Sequence, residues 1–186
     1  NFFYNYDFGK LWIKKARLKL ESELKNQIMS DGFLWESSTT YHKFATELVL
    51  HANLILSTRD LGSKKISEKL RQMSDALKII EKPNGEIPNI GDSDDAMVLN
   101  FGDSNPKSSE LLNSLAFYFN DPALTSLSNS NDYSFWLFGK YYKSQNTKKL
   151  NHFRKSHLFN DAGIFIHKLI DNNFQFYMLF NIGNQH

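Results

Sequence analysis

Between Asp31 and His42 the chain reads Asp-Gly-Phe-Leu-Trp-Glu-Ser-Ser-Thr-Thr-Tyr-His, and four of these side chains could act on a polar substrate. Trp35 offers an apolar platform and Glu36 an anion. Tyr41 and His42 are two groups able to move protons, all placed around the start of a helix, where unpaired amides favour negative charge. An ordinary helix start, with a capping Ser or Thr and a semi-buried tyrosine, accounts for the same residues, and one Tyr-His pair does not choose between the two readings.

A second polar cluster is Pro88-Asn89-Ile90-Gly91-Asp92-Ser93-Asp94-Asp95. Its carboxylates, Asp92, Asp94 and Asp95, repel one another unless they are solvated, bind a cation or accept loop amides. Ala96 and Met97 stand where an EF-hand needs a further ligand and its turn glycine, so calcium is not indicated. Glycoside hydrolysis by paired carboxylates is conceivable, but residues so close in sequence rarely flank one scissile bond from opposite sides. His51 reads as a packed or surface histidine, and His152, His157 and His167 lack metal-ligand spacing. There is no phosphate-binding loop, dinucleotide fingerprint or nucleophile elbow. With Cys at 0, thiolate metal sites, disulfides and cysteine nucleophiles are excluded. No metal and no cofactor is expected.

The elements that must position these residues are helical in the first two thirds. Ile13, Ala16, Leu20, Leu24 and Ile28 form a stripe on a helix from about Phe8 to Met29. A second helix follows Ser37-Ser38-Thr39, any of which could cap it, with Phe44, Leu48, Ala52 and Ile55 as its apolar face up to about Ser57. Ile66, Leu70, Met73, Leu77 and Ile80 define a third, which stops before Pro83. No period survives from Pro83 to about Lys107; shorter helices are expected at Ser109 to Phe119 and Tyr133 to Tyr142. Ala162 to Leu169 and Phe174 to Phe180, separated by Asp171-Asn172-Asn173, read as a β-hairpin that needs a larger sheet to be stable. The expected organisation is a helical domain over residues 1–145, a linker over 146–156 and the start of an all-β domain over 157–186.

At 186 residues, with 41% hydrophobic and 15% aromatic residues, the chain is long and apolar enough to bury a core. A net charge of +2 is too mild to argue for nucleic acid. No run approaches the roughly 18 to 20 apolar residues of a membrane span, and the first residues lack the features of a signal peptide. Neither end reads as a natural terminus, so a piece of a longer protein is expected.

Three segments in order carry a resemblance. They are Asp31-Gly32 with Glu36-Ser37 and Tyr41-His42; Pro83-Asn84-Gly85-Glu86-Ile87-Pro88-Asn89-Ile90-Gly91-Asp92-Ser93-Asp94-Asp95; and His157-Leu158-Phe159-Asn160-Asp161-Ala162-Gly163 at the opening of a strand. Together they resemble the heparinase II/III-like polysaccharide lyases. The resemblance implies an α+β fold: an incomplete α/α toroid of helix pairs followed by the first strands of an antiparallel β-sandwich, with the active site in the cleft between them. It implies β-elimination on a uronic-acid-containing anionic polysaccharide, and a periplasmic or secreted location. By its place in the Glu-Ser-x-x-x-Tyr-His pattern, Tyr41 is the implied general acid, and in some members of the family also the base. Glu36, His42 and Trp35 would orient it or shape sugar subsites. Asp92, Asp94 and Asp95 would line or brace the cleft, and His186 would belong to or neighbour a second-domain histidine loop. The family's carboxylate-neutralising Asn, usually in an Asn-His pair, would lie upstream; Ala96 replaces a common glycine and Lys168 a frequent arginine. The piece alone is expected to be inactive. A protein that binds acidic polysaccharide without cleaving it and an α/α-barrel glycoside hydrolase using Asp92, Asp94 or Asp95 are the competing readings.

Overall fold

Ile66, Leu70, Met73, Leu77 and Ile80 recur at four- and three-residue steps and all become fully buried, which makes their helix the centre of the molecule. A computed structural model describes residues 3–93, 96–99, 108–126, 132–142, 153–171 and 174–183. The helices are α1 (Asp7–Gln27), α2 (Thr39–Ser57), α3 (Lys64–Ile80), α4 (Ser108–Phe119) and α5 (Asp132–Phe138). Short 3-10 turns follow at Pro122–Leu124 and Gly139–Tyr141. The central helix, α3, packs against α1, α2 and α4. Ser38 and Ser63 cap α2 and α3 by accepting from the amides of Tyr41 and Ile66, three residues on.

Two expected apolar faces are not the buried ones. On α1 the stripe is covered only at its far end: Leu24 and the adjoining Ile28 are buried, Ile13 and Leu20 half-buried and Ala16 exposed. On α2 the expected face points outward, with Leu48 45% and Ile55 48% exposed. The buried face instead holds His42, Thr46, Glu47, Val49, Leu50, Asn53 and Leu56. Apolar periodicity misses this face because its polar groups find partners inside the fold. Asn53 Nδ2 donates to Ser67 Oγ and to the Tyr118 hydroxyl, each at 2.9 Å. The Tyr133 hydroxyl donates to Glu47 Oε1 at 2.9 Å, and its oxygen accepts from Nε2 of half-buried His51 at 2.6 Å.

The C-terminal part is a three-stranded antiparallel sheet in the order β1 (Phe153–Phe159), β2 (Ile164–Asp171), β3 (Phe174–Asn181). Its register pairs Phe159 with Ile164 and Asp171 with Phe174. The expected hairpin is β2–β3, with its Asn172-Asn173 turn outside the described residues. Residues 153–156, expected as linker, are the first half of β1. Ile164, Ile166 and Ile170 on β2, with Phe159 and Ala162, are buried, and most of them join the same core as α1 to α4. Further along, Lys168 Nζ donates to the Lys78 carbonyl at 3.3 Å and the Tyr177 hydroxyl to the Ile80 carbonyl at 2.9 Å. The sheet therefore packs across the C-terminal end of α3.

Candidate functional site

The chain leaves α1 through a tight turn that aims its polar residues outward. Gly32 N–H donates to Met29 O at 3.1 Å, Met29 N–H to Phe33 O at 2.9 Å and Trp35 N–H to Gln27 O at 2.8 Å. Phe33 and Leu34 go into the core, while Trp35, 51% exposed, and Glu36 face solvent. Only glycine suits position 32: its φ is +84°, and a Cβ there would lie 2.6 Å from the backbone oxygen of Gln72 on α3. Gly32→Ala is expected to cost about 2 kcal/mol of stability, from left-handed strain plus displacement of α3, read as a lower urea midpoint. Beyond the turn, Tyr41 sits in the first turn of α2, half-buried at the margin of the core. It lines a groove of about 480 Å³ with Gln27, Leu34, Trp35, Glu36, Phe44 and Ala45.

The second polar segment is strapped to this same helix start. Thr39 N–H donates to Ile90 O at 3.1 Å and Thr39 Oγ1 to Pro88 O at 2.5 Å, while Ile90 N–H donates back to Thr39 Oγ1 at 3.0 Å. Ser38 Oγ donates to Asp92 O at 2.6 Å. Gly91, at φ +76°, lets the strap lie close, since a Cβ there would be 3.1 Å from Ser38 Cα. The third segment arrives from the sheet. Asp31 Oδ2 accepts from the amides of Asp161 at 3.0 Å and Ala162 at 3.1 Å, while Asp161 Oδ2 accepts from Ser30 N–H at 3.1 Å and Ser30 Oγ at 2.5 Å. The two aspartates thus cross-link the β1–β2 turn to the turn before α2. Phe159 packs on Phe33 beneath them, ring centroids 5.3 Å apart.

Residues 2–113 match the family model described as the heparinase II/III N-terminus. This chain belongs to the heparinase II/III family. No curated protein and no solved structure matches it. The matched residues include the Tyr41 groove and the strap, whereas β1 to β3 and Asp161 lie beyond them.

In this heparinase II/III chain the structure brings Trp35, Glu36 and Tyr41 to one groove and sends His42 the other way. His42 is fully buried and stacked on Phe33 with ring centroids 4.6 Å apart, and its Nε2 donates to the Met73 carbonyl at 3.0 Å. That fixes the tautomer and leaves Nδ1 buried without a partner. Burial pushes its pKa down to about 4, against the opposing hydrogen bond to Met73. Because the folded state resists a proton that the unfolded chain accepts near pH 6.5, this contribution is full above pH 6.5 and is lost as pH falls toward 4. It amounts to roughly 3 kcal/mol. The His42 ring resonances are expected to stay unshifted from pH 7.5 to 5 in an NMR titration. Asp92 is exposed and takes part through its carbonyl, as the acceptor of Ser38. Asp94, Asp95 and His186 lie outside the described residues. The aspartate cross-link and the Thr39 strap were not foreseen as such; the signals were Asp31-Gly32, Asn160-Asp161 and an unbroken hydroxyl run from Ser37 to Thr40. Among the described residues no group of three His, Cys, Asp or Glu could hold a metal ion, and no helix is long and apolar enough to cross a membrane.

Proposed function

We propose that this chain is part of a polysaccharide lyase that cleaves a uronic-acid-containing anionic glycan by β-elimination, with Tyr41 as its proton-transfer group. The observation that carries the reading is the Tyr41 groove, in which the phenol-bearing residue shares one concave surface with an exposed indole and a carboxylate, in a chain of the heparinase II/III family. In the reaction Tyr41, as the phenolate, takes the C5 proton, and the C–H electron pair forms the C4–C5 double bond. The O4 substituent leaves and is protonated by Tyr41. The proton next to a carboxylate becomes removable only when that charge is offset and the enediolate stabilised. The positive end of the α2 dipole lies at Tyr41, the third residue of the helix, and favours both the uronate and a transient phenolate. Trp35 gives a sugar ring a flat apolar face, and Glu36 hydrogen-bonds hydroxyls at the rim. In this reading the helices belong to an α/α toroid and the sheet opens a β-sandwich. The aspartate cross-link ties the second domain to the turn that leads into the Tyr41 groove, and the protein works in the periplasm or outside the cell.

The test is ultraviolet absorbance from unsaturated uronate when the full-length protein is offered alginate, heparan sulfate, chondroitin and bacterial capsular glycans. A rise on one of them supports the reading. Binding without absorbance would replace it with a non-catalytic glycan-binding role, and new saturated reducing ends would make the protein a hydrolase.

A further inference from the structure

A cavity of about 310 Å³, sharing no lining residue with the Tyr41 groove, opens between the end of α3 and the inner face of the sheet. Its size is that of a small-molecule site, and its walls divide sharply by chemistry. Ile79, Phe153, Ile166 and Ile170 are apolar. The polar lining is Lys78, Lys155, Lys168, His157 and Glu81. Among the described residues three lysines therefore face one carboxylate, and Lys78 and that carboxylate already engage each other: Glu81 is fully buried, with Lys78 Nζ at 2.7 Å and the Ser126 hydroxyl donating to it, and Lys78 Nζ also donates to the Thr125 carbonyl at 2.7 Å. Lys168 is also buried, with a carbonyl, Lys78 O at 3.3 Å, and the Tyr177 ring at 6.0 Å as its neighbours.

We propose that this cavity binds a small organic acid, its carboxylate held among Lys168, Lys155 and Lys78 and its apolar body against Ile79, Ile166 and Ile170. With Glu81 paired to Lys78, the described lining offers Lys155 and Lys168 no second carboxylate, and a buried amine beside other lysines gains most from a bound anion that lets it hold its proton. The walls exclude a sugar as the body, because a pyranose ring carries hydroxyls that Ile79, Ile166 and Ile170 cannot satisfy. The proposal stands apart from the lyase reading and uses none of its residues. Burial, reinforced by Lys78 and Lys155 and opposed by Glu81, pushes Lys168 down to about 7. A carboxylate at its amine would reverse that shift, so binding at pH 8 takes up a proton. His157, held below its usual range by burial and Lys155, stays neutral at that pH.

Calorimetric titration of the full-length protein at pH 8 with hexanoate, hexan-1-ol, glucuronate and sulfate tests this. Hexanoate is expected to saturate one site, the other three binding at least about tenfold more weakly, as expected when either the charged contact or the apolar burial is missing. Repeating the titration in Tris and HEPES, which differ in ionisation enthalpy, should show uptake of close to one proton per hexanoate. Lys168→Met should abolish the uptake and weaken binding by about tenfold or more, whereas Lys168→Arg keeps the affinity within about threefold. Should Lys168→Met not fold, exposed Lys155→Met provides the second variant, expected to bind about threefold more weakly. Non-saturable hexanoate binding, equal affinity for hexan-1-ol, glucuronate or sulfate, no proton uptake, or unchanged affinity in the lysine variants would each overturn the proposal.

Discussion

Tyr41→Phe in the full-length protein is expected to lower the rate of unsaturated-uronate release by at least about 100-fold, the usual cost of losing a positioned acid or base. The substitution removes one hydroxyl and keeps the ring that packs at the edge of the core. The helix cap is also kept, because Ser38 Oγ accepts from the backbone amide of residue 41 and not from its side chain. Unfolding stability should therefore change by no more than about 1 kcal/mol, so a rate loss cannot be assigned to misfolding. If the phenol acts only in the transition state, kcat and kcat/KM fall together and KM is unchanged. A rise in KM alone would make Tyr41 a substrate-binding residue. Undiminished turnover would place the proton transfer on another group.

Asp31→Ala is expected to be the most damaging substitution for stability in the turn between α1 and α2. Asp31 Oδ1 accepts from the Phe33 amide at 3.1 Å, and Oδ2 from those of Asp161 and Ala162. Hydrogen bonds to a charged acceptor contribute about 1.5 kcal/mol each at the low end, so losing three together costs about 4.5 kcal/mol. The loss should be local first, with hydrogen exchange accelerating at Asp161 and Ala162 while the amides inside α3 keep their protection. Equal acceleration in α3 and at the β1–β2 turn would mean that the sheet and helices unfold as one unit with no separable latch. The partner carboxylate adds a pH signature. Hydrogen bonds from Ser30, through its hydroxyl first and then its amide, hold Asp161 below its usual range. Its contribution is present above the ordinary carboxylate range and is lost as pH falls below it. In the lyase reading, the same substitution should lower activity by loosening the second domain while leaving the Tyr41 groove intact.

Much was legible along the chain because it is local. The stripe on α3, the serine caps, the break after Asp171 between β2 and β3 and the polar run from Trp35 to His42 depend on residues a few positions apart. Family membership was legible for a related reason, since short segments keep their order in sequence, and the first two of the three lie within the matched residues 2–113. Other features had no local signature. The outward turn of Leu48 and Ile55 depends on α3, α4 and α5 supplying partners for Asn53 and Glu47 on the opposite face. The fate of the Tyr-His pair was decided in the same way: one helix step apart, Tyr41 meets the groove and His42 the core, and only the position of Met73 separates a proton-transfer candidate from a packing residue. Ser38 reaches Asp92 across 54 positions and Ser30 reaches Asp161 across 131. Lys168 looks on β2 like one polar residue among alternating isoleucines, and becomes a buried amine only when the sheet lies over the end of α3. By itself the sequence determined the helices, the β2–β3 hairpin and the chemistry each segment carries, because periodicity, capping and turn formation act over a few residues. Which side chains share a cavity, which are desolvated and which carboxylates cross-link distant turns was decided by the tertiary structure, because those depend on how the chain returns upon itself.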